Sequence, residues 1–158
     1  MSNTTFSGPV RSEGGFQTIT KSTTTGAITT NSSITGAGVI SRTTAPINAT
    51  ATATAAEVAT GYITSTSALA TTITLPTGTD LGAALGATRG TTHELYIDNT
   101  AGANTVTIAV AVNGVLSAGA AAVAGTFGLL TVPIGVTGQA RFTLMFSSAT
   151  AYTFTRTA

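Results

Sequence analysis

The stretch QARFTLMFSSATAYTFTRT, residues 139–157, alternates apolar and polar side chains along most of its length. Successive side chains of a β-strand point to opposite faces, so this alternation predicts two strands that each have one apolar face. The stretch therefore favours a β-rich domain. The two apolar faces consist of Phe142, Leu144 and Phe146 in residues 139–148, and of Tyr152 and Phe154, continued by Arg156, in residues 151–157.

The rest of residues 58–158 carries the same signal in shorter pieces, which Gly, Pro and Asn separate as turn residues do. About seven or eight short strands in roughly a hundred residues indicate an all-β domain, an antiparallel β-sandwich or a jelly-roll-like domain. No repeat of fixed length emerges, so a solenoid is not expected. The other predicted strands lie in GYITSTS (61–67), ATTITLP (70–76), HELYIDN (93–99), NTVTIAVAVNGVLSA (104–118) and TFGLLTVP (126–133).

Residues 104–118 predict a β-hairpin. Val106, Ile108, Val110 and Val112 alternate with Thr and Ala, and Asn113-Gly114 follows them. This dipeptide suits the two positive-φ positions of a type I′ turn, which joins paired antiparallel strands.

Residues 77–88, TGTDLGAALGAT, predict the one short helix of the domain. Thr79 or Asp80 is expected to accept from the free amides of its first turn, and Gly86 is expected to end it. Its apolar face consists of Leu81 and Leu85, four positions apart.

The first 57 residues are rich in Thr, Ser, Asn and Gly and have few large apolar side chains. Such a segment cannot close a core by itself. We therefore expect an extended N-terminal arm and linker with short strands over residues 1–57, and a β-sandwich domain over 58–158. Within the arm, FQTIT (16–20) and GVISRT (38–43) read as strands, and INATATATAAEVATG (47–61) reads as a linker or a short helix ending at Gly61.

Composition excludes several classes of function. Charged residues make up 7% of the chain, against about 25% in an average domain, and roughly a quarter of the residues are threonine. The six basic residues are scattered singly, so a nucleic-acid partner is not expected. The chain has no Cys, which excludes disulfides and thiolate metal sites. Residues 115–136 are long enough to span a bilayer, but their Ala and Gly content and the lack of flanking anchors favour strand, loop and strand, with no membrane partner.

The residues that catalysis or a metal would need are sparse. His93 is the only histidine, too few ligands for a metal-dependent hydrolase. Glu94 and Asp98 share strand parity and Asp80 is the third acid of this part, but the aromatic platform of a glycosidase is missing because the chain has no Trp. Asp98 and the residues after it favour turn chemistry over a Ca²⁺ loop, because no EF-hand pattern is present. We expect no enzyme activity, no cofactor and no resident metal.

The N-terminal segment carries isolated aromatic and basic side chains, as a segment that docks on a partner does. Docking on a neighbouring chain and wrapping around the chain's own domain remain the two alternatives. The residues expected to contact a partner or a neighbouring subunit are Phe6, Arg11, Phe16 and Arg42.

Four stretches resemble tailed-phage capsid decoration (cement) proteins and related phage virion proteins, and together they cover most of the chain. They are FSGPVRSEGGFQTI (6–19), GYITSTSALATTITLPTGTDLGAAL (61–85), ELYIDNTAGANTVTIAVAVNG (94–114) and GVTGQARFTLMFSSATAYTFTRT (135–157). The resemblance implies a small β-rich protein, a homotrimer in many members, made in the host cytoplasm and placed on the outer surface of the virion capsid. There it would bridge subunits of its partner, the major capsid protein, and stabilise the head against internal pressure.

A phage fibre or adhesin-like receptor-binding module is the alternative. It would use loops around residues 89–94 or 98–104. Tyr96 is the aromatic residue near those loops, which counts against this alternative.

Overall fold

The computed structural model of the protein describes residues 16–22, 24–35, 39–116 and 130–157, and most of its regular structure is β-strand. Contacts divide the chain into two compact units between Thr43 and Thr44. The boundary expected from composition was 57/58, so residues 44–57 are grouped with the larger unit.

The first unit contains a three-stranded antiparallel sheet in the order β1 (Phe16–Lys21), β2 (Ile28–Thr35) and β3 (Val39–Arg42). The turn between β1 and β2 is closed by the amide of Gly26, which has φ 72° and donates to the Ser22 carbonyl at 2.9 Å. β1 and β3 coincide with the two strands expected within the arm. The described residues between 16 and 42 thus form a sheet rather than a plain extended segment.

Within residues 44–116 and 130–157, the second unit contains ten strands in two sheets. The six-stranded sheet has the order β10-β13-β12-β8-β6-β4, and the four-stranded sheet has the order β11-β9-β7-β5. In chain order the strands are β4 (Ala45–Pro46), β5 (Ala51–Thr52), β6 (Tyr62–Thr64), β7 (Thr71–Thr74), β8 (Thr92–Asp98), β9 (Val106–Ala109), β10 (Gly114–Leu116), β11 (Thr131–Val132), β12 (Gln139–Ser148) and β13 (Ala151–Arg156).

Residues 45–109, which we call the coil section, pass alternately from one sheet to the other. The section makes three turns, and each turn contributes one strand to each of the two sheets. In both sheets, the strand of one turn pairs in parallel with the strand of the next turn. The prediction of antiparallel sheets, and with it the jelly roll, is therefore wrong, because both sheets are mixed. The stacked strands are not separated by a fixed number of residues: Ala45 pairs with Ile63 and Ala51 with Ile73, whereas Ile63 pairs with Ile97 and Ile73 with Ile108.

One hydrophobic cluster receives the inward side chains of both sheets. Alternate residues of the strands supply it, so the burial pattern follows the period of two that the sequence shows. The fully buried large side chains are Tyr152, Phe142, Phe146, Phe154, Ile63, Ile73, Leu75, Leu81, Leu95, Ile97, Ile108 and Leu144. The apolar faces predicted for residues 139–157 are thus confirmed as core.

Two short helices, α1 (Ala55–Ala59) and α2 (Gly78–Leu85), connect successive turns of the coil section. Thr54 caps α1 in a capping box with Glu57. The predicted helix is confirmed as α2 and ends at Gly86 in the left-handed region, φ 59°. Its N-cap, however, is Thr77 rather than Thr79 or Asp80, since the Thr77 side chain accepts from the Asp80 amide at 3.1 Å.

The predicted hairpin at Asn113-Gly114 is wrong. Asn113 has φ 64°, but the backbone of Gly114 is not in the positive-φ region that a type I′ turn requires at both positions. The chain instead leaves the four-stranded sheet after β9 and enters the six-stranded sheet as β10, where it pairs in parallel with β13. The antiparallel hairpin of the unit is β12–β13, paired from Phe142↔Arg156 to Ser148↔Ala151.

Asn99 anchors the chain where it turns between β8 and β9. Its side chain is fully buried, and its Nδ2 donates to the carbonyl oxygens of Asn104, Val132 and Pro133 at 2.9, 3.1 and 3.0 Å. Gly102 packs against the Asn99 side chain, where a Cβ would collide with Oδ1. A single amide thus holds the last turn of the coil section against the segment around β11.

In the part of the chain that the structure describes, no helix is long and apolar enough to cross a membrane. The expected strand, loop and strand over residues 115–136 lies largely outside the described residues. Its last strand is represented by β11.

Candidate functional site

The outer face of the six-stranded sheet brings together aromatic and charged side chains from three neighbouring strands. Tyr62 of β6 pairs in register with Tyr96 of β8, and Tyr96 pairs with Arg141 of β12. In the adjacent row, Asp98 of β8 pairs with Gln139 of β12. Because residues directly opposite each other on one face lie within side-chain reach, the register alone assembles this group. We call it the tyrosine row.

The two tyrosine rings lie side by side. Their centroids are 6.1 Å apart and their planes differ by 18°. The Tyr62 hydroxyl donates to Asp98 Oδ2 at 3.0 Å, and the Tyr96 hydroxyl donates to Glu94 Oε2 at 3.1 Å. Each ring is therefore held by a neighbour on its side and by a carboxylate at its tip, which fixes its position on the sheet surface.

Asp98 is the most heavily hydrogen-bonded carboxylate of the group. Burial by itself would raise the pKa of this carboxyl, but hydrogen bonds from the Thr100 hydroxyl and amide, the Tyr62 hydroxyl and the Gln139 side chain lower it below its usual value. The Thr100 amide and hydroxyl lie 2.9 and 2.7 Å from Asp98 Oδ1. Asp98 is thus ionised at neutral pH and performs the turn chemistry expected of it.

The pKa of Tyr62 shifts in the opposite direction. Burial, together with the hydrogen bond to Asp98 and the negative charge of that carboxylate, raises the pKa of the Tyr62 hydroxyl above its ordinary value. The Tyr62 hydroxyl therefore stays protonated at physiological pH and remains a donor to the carboxylate.

Arg141 supplies the positive charge of the row. Its Nη1 lies 3.9 Å from Glu94 Oε1, and its Nε donates to Thr157 Oγ1 at 3.3 Å. The side chains of Arg141 and Glu94 are 42% and 44% exposed, so this ion pair contributes at most about 1 kcal/mol to stability. Arg141 is also the direct cross-strand neighbour of Tyr96, so the two side chains lie within reach of each other.

A groove of about 320 Å³ runs along this face. The side chains and backbone that line it combine flat rings, aliphatic groups and planar polar groups, a mixture found in small-molecule sites. The lining residues are Tyr62, Tyr96, Ile97, Gln139, Ala140 and Arg141.

The residues considered for catalysis are placed differently. His93 Nε2 lies 2.9 Å from the Val58 carbonyl oxygen, within a hydrogen bond that fixes the ring against α1. Asp80 lies in the first turn of α2 and accepts from the Thr77 hydroxyl at 2.7 Å. Glu94 and Asp98 do share a face, on either side of Tyr96, and each accepts from a tyrosine hydroxyl. Within the described ranges, no three His, Cys, Asp or Glu side chains are grouped as a metal site.

The expected contact residues of the N-terminal segment are only partly placed. Phe6 and Arg11 lie outside the described residues. Phe16 is the first residue of β1 and pairs with Ile34, and Arg42 is the last residue of β3 and pairs with Ser32. Their role as contacts to a capsid or to a neighbouring subunit stays a prediction.

Sequence reasoning missed the tyrosine row because it treated Tyr96 as isolated. A signal was present in the sequence, because Tyr62-Ile63 recurs as Tyr96-Ile97, 34 positions later, and the two segments pair in register. Ile73 and Ile108, 35 positions apart, pair in the same way in the other sheet. When two similar segments pair in parallel, equivalent side chains lie next to each other. Comparison with known proteins finds no family model that matches the chain, and no curated protein or solved structure with significant similarity.

Proposed function

We propose that this chain is a structural virion protein, a capsid decoration protein that binds the outer surface of a phage head and bridges its major capsid subunits. The observation that carries the proposal is the division of the chain into two units. Residues 44–158 have a core of their own, whereas residues 1–43 form a separate unit with few large apolar side chains. A folded body joined to a small second unit suits a clamp between subunits.

The same proposal gives each unit a task. The larger unit is a β-sandwich whose two sheets enclose the common core, and it forms the rigid part of the clamp. The smaller unit makes the contacts to the capsid or to the next protomer through Phe6, Arg11, Phe16 and Arg42. In a homotrimer, three such weak contacts add up to useful avidity on a symmetric lattice.

Surface composition supports an assembled state. Only 7% of the chain is charged, so repulsion between copies is weak. Exposed apolar side chains gather on loops at one end of the larger unit, where Leu69 is 75% and Val136 is 103% exposed. These loops are tied together, because the Ser67 carbonyl accepts from the Ala103 amide and the Gly138 carbonyl accepts from the Asn99 amide. Such an end gains stability when a partner covers it.

The proposal includes no catalytic step. His93, Asp80 and Asp98 are each engaged in a local hydrogen bond that stabilises a turn or a helix connection. Their roles are explained without a substrate.

The test is binding to expanded heads assembled without this chain. Full-length protein is expected to bind and to raise the temperature at which the heads rupture, because a ligand of the assembled shell stabilises it by mass action. Deletion of residues 1–20 should abolish that binding and leave the circular dichroism of the remaining β-domain intact. Binding that survives the deletion would remove the N-terminal segment from the mechanism, and heads that never bind the full chain would remove the proposal.

A receptor-binding module of a phage fibre is the second candidate, and the tyrosine row favours it. The row lies on the sheet face rather than in the loops first considered. Adhesion of the purified chain to host cells, together with no affinity for heads, would reverse the order of the two candidates.

A further inference from the structure

We propose that the groove beside the tyrosine row binds a neutral saccharide, one or two pyranose units in length. The inference rests on the surface itself, and it gives the receptor-binding candidate a class of ligand. It applies equally to a decoration protein, since a sugar site on an outward sheet face requires no change in how the chain attaches to a head.

The shape of the groove fits a small ring-shaped ligand. Its volume of about 320 Å³ is at the lower end of the range for small-molecule sites, roughly 300–1,000 Å³. The backbone of Ile97 and Ala140 forms part of its lining, and the Tyr62 ring and the Arg141 side chain border it. A sugar ring lying there would contact apolar surface on one face and remain open to further sugar units on the other.

The chemistry of the lining matches a polyhydroxylated ligand. Tyrosine rings offer flat apolar surface to the C–H groups of a pyranose, while they carry a polar hydroxyl at one end. Gln139 supplies an amide, with a donor and an acceptor, and Arg141 supplies a guanidinium as donor. The Glu94 and Asp98 carboxylates lie next to this lining, where each already accepts from a tyrosine hydroxyl. Donors and acceptors thus surround a hydrophobic strip, which is what a molecule with hydroxyls at its rim and C–H groups on its faces requires.

The charges next to the groove disfavour acidic ligands, although Arg141 is the charged residue in the lining itself. Two carboxylates, Glu94 and Asp98, stand against the single cation Arg141, and the low pKa of Asp98 keeps its carboxylate ionised. A phosphate, sulfate or uronic acid would be repelled by this balance, because like charges at close range are unfavourable. A neutral sugar meets no such penalty.

The ring geometry excludes a quaternary ammonium ligand. An aromatic cage needs ring faces that open around the cation. The two tyrosine rings are nearly parallel at 6.1 Å, which leaves no room for a cation between them, and Arg141 would repel one beside them.

The row is also held in place before any ligand arrives. Both tyrosine hydroxyls are bonded to carboxylates of β8, which is the strand of Tyr96 itself and the neighbour of the Tyr62 strand β6, and both strands belong to the sheet. Binding therefore requires little further ordering of these side chains, and such ordering is a cost that otherwise weakens a small-ligand site.

The experiment measures binding of the full chain to neutral trisaccharides of glucose, galactose and N-acetylglucosamine, by glycan array and then by titration calorimetry. We expect millimolar to micromolar affinity for at least one of them. Tyr62→Ala and Arg141→Ala should each weaken it roughly tenfold. Tyr62→Phe, which keeps the ring, should weaken it less than Tyr62→Ala.

The matched control is Met145→Ala. Met145 lies on the same outer face of β12, is 54% exposed and does not line the groove, so its replacement should leave sugar binding unchanged. Thermal melting of each variant shows that the fold is retained. Should Tyr62→Ala melt early, the Arg141→Ala variant carries the test alone.

Three results would overturn the inference: no neutral sugar bound at millimolar concentration, sugar binding that neither variant weakens, or stronger binding of a uronic-acid trisaccharide or of choline. Head binding and cell adhesion are measured separately. A chain that binds heads but no sugar refutes this inference alone, and a chain that binds sugar but neither heads nor cells refutes the proposed functions alone.

Discussion

The coil section and the β12–β13 hairpin build the same core by different means. The coil section uses strands of two to seven residues that pair in parallel with strands many residues away, whereas the hairpin pairs strands of ten and six residues across a short turn. Both supply fully buried side chains to one cluster. The comparison shows that side-chain alternation marks a strand equally well in either setting, but that it does not choose the partner or the direction of pairing.

The largest expected effect tests whether the two regions are one cooperative unit. Phe142 of β12 is fully buried and its ring lies 4.7 Å from that of Phe154. Phe142→Ala should lower the free energy of unfolding of the larger unit by about 4 kcal/mol, through lost burial and an unfilled cavity. Urea denaturation followed by circular dichroism measures it.

Thr143→Ala, at the next position but on the outer face, is the control and should change stability by less than about 0.5 kcal/mol. Hydrogen exchange then locates the effect. Loss of protection in β6 and β7 as well as in the hairpin is expected. A coil section that keeps its full protection would show that the two regions unfold independently.

The next effect concerns the turn at the end of the coil section. Asn99→Asp replaces an amide that donates to three carbonyl oxygens by a carboxylate that those oxygens repel. We expect the free energy of unfolding to fall by about 3 kcal/mol at pH 7, because a buried charge without hydrogen-bond donors is unfavourable. The loss should shrink in acid, where the carboxyl is protonated.

Asn104→Asp is the matched control, since Asn104 is exposed and its side chain accepts from the Thr105 amide only. Equal effects of Asn99→Asp and Asn104→Asp on the melting temperature would contradict the anchoring role of Asn99.

The third prediction tests the contact between α2 of the coil section and the turn of the β12–β13 hairpin. Alanine is favoured over glycine in an exposed helix by about 1 kcal/mol. At Gly82 of α2, however, a Cβ would collide with the backbone carbonyl of Ala149, in the turn of the hairpin. Gly82→Ala should therefore destabilise the protein by about 2 kcal/mol, as overpacking does.

Ala83→Ser, at the next and exposed position of α2, should change stability by less than about 0.5 kcal/mol. A Gly82→Ala variant that melts at a higher temperature than the wild type would show that α2 is not docked on the hairpin.

The smallest effect concerns a single hydrogen bond between the regions. The buried hydroxyl of Tyr152 in β13 donates to the Pro76 carbonyl of the coil section at 3.0 Å. Tyr152→Phe should cost about 1 kcal/mol at pH 7. Melting temperatures of the two proteins at the same pH measure it.

The same residue predicts an alkaline effect. Burial raises the pKa of Tyr152 to about 12, whereas an unfolded tyrosine has a pKa of about 10. Above pH 10 the unfolded chain loses the Tyr152 proton while the folded chain keeps it, so the wild type loses stability as pH rises from 10 towards 12. Tyr152→Phe should lose less over that range. Tyr62, whose pKa is also raised, contributes equally to both proteins, and parallel losses would contradict the assignment.

Only part of the tyrosine row could be predicted from the sequence. The strand parity read from the sequence placed Glu94 and Asp98 on one face, and the structure agrees and adds Tyr96 between them. Tyr62 could not be added without knowing that β6 lies beside β8. Arg141 required the further knowledge that β12 lies on the other side of β8 with a fixed register.

By itself, the sequence determined the strands of residues 139–157, their apolar faces, the helix that ends at Gly86 and the turn after Asp98, because alternation, caps and turns depend on residues close in the chain. The tertiary structure alone decided that the coil section stacks in parallel, that the chain changes sheets before Gly114, and that Tyr62 and Arg141 flank Tyr96. The physical reason is that strands are joined by backbone hydrogen bonds, which are nearly the same for every residue type, so the choice of neighbour rests on how distant side chains share one core.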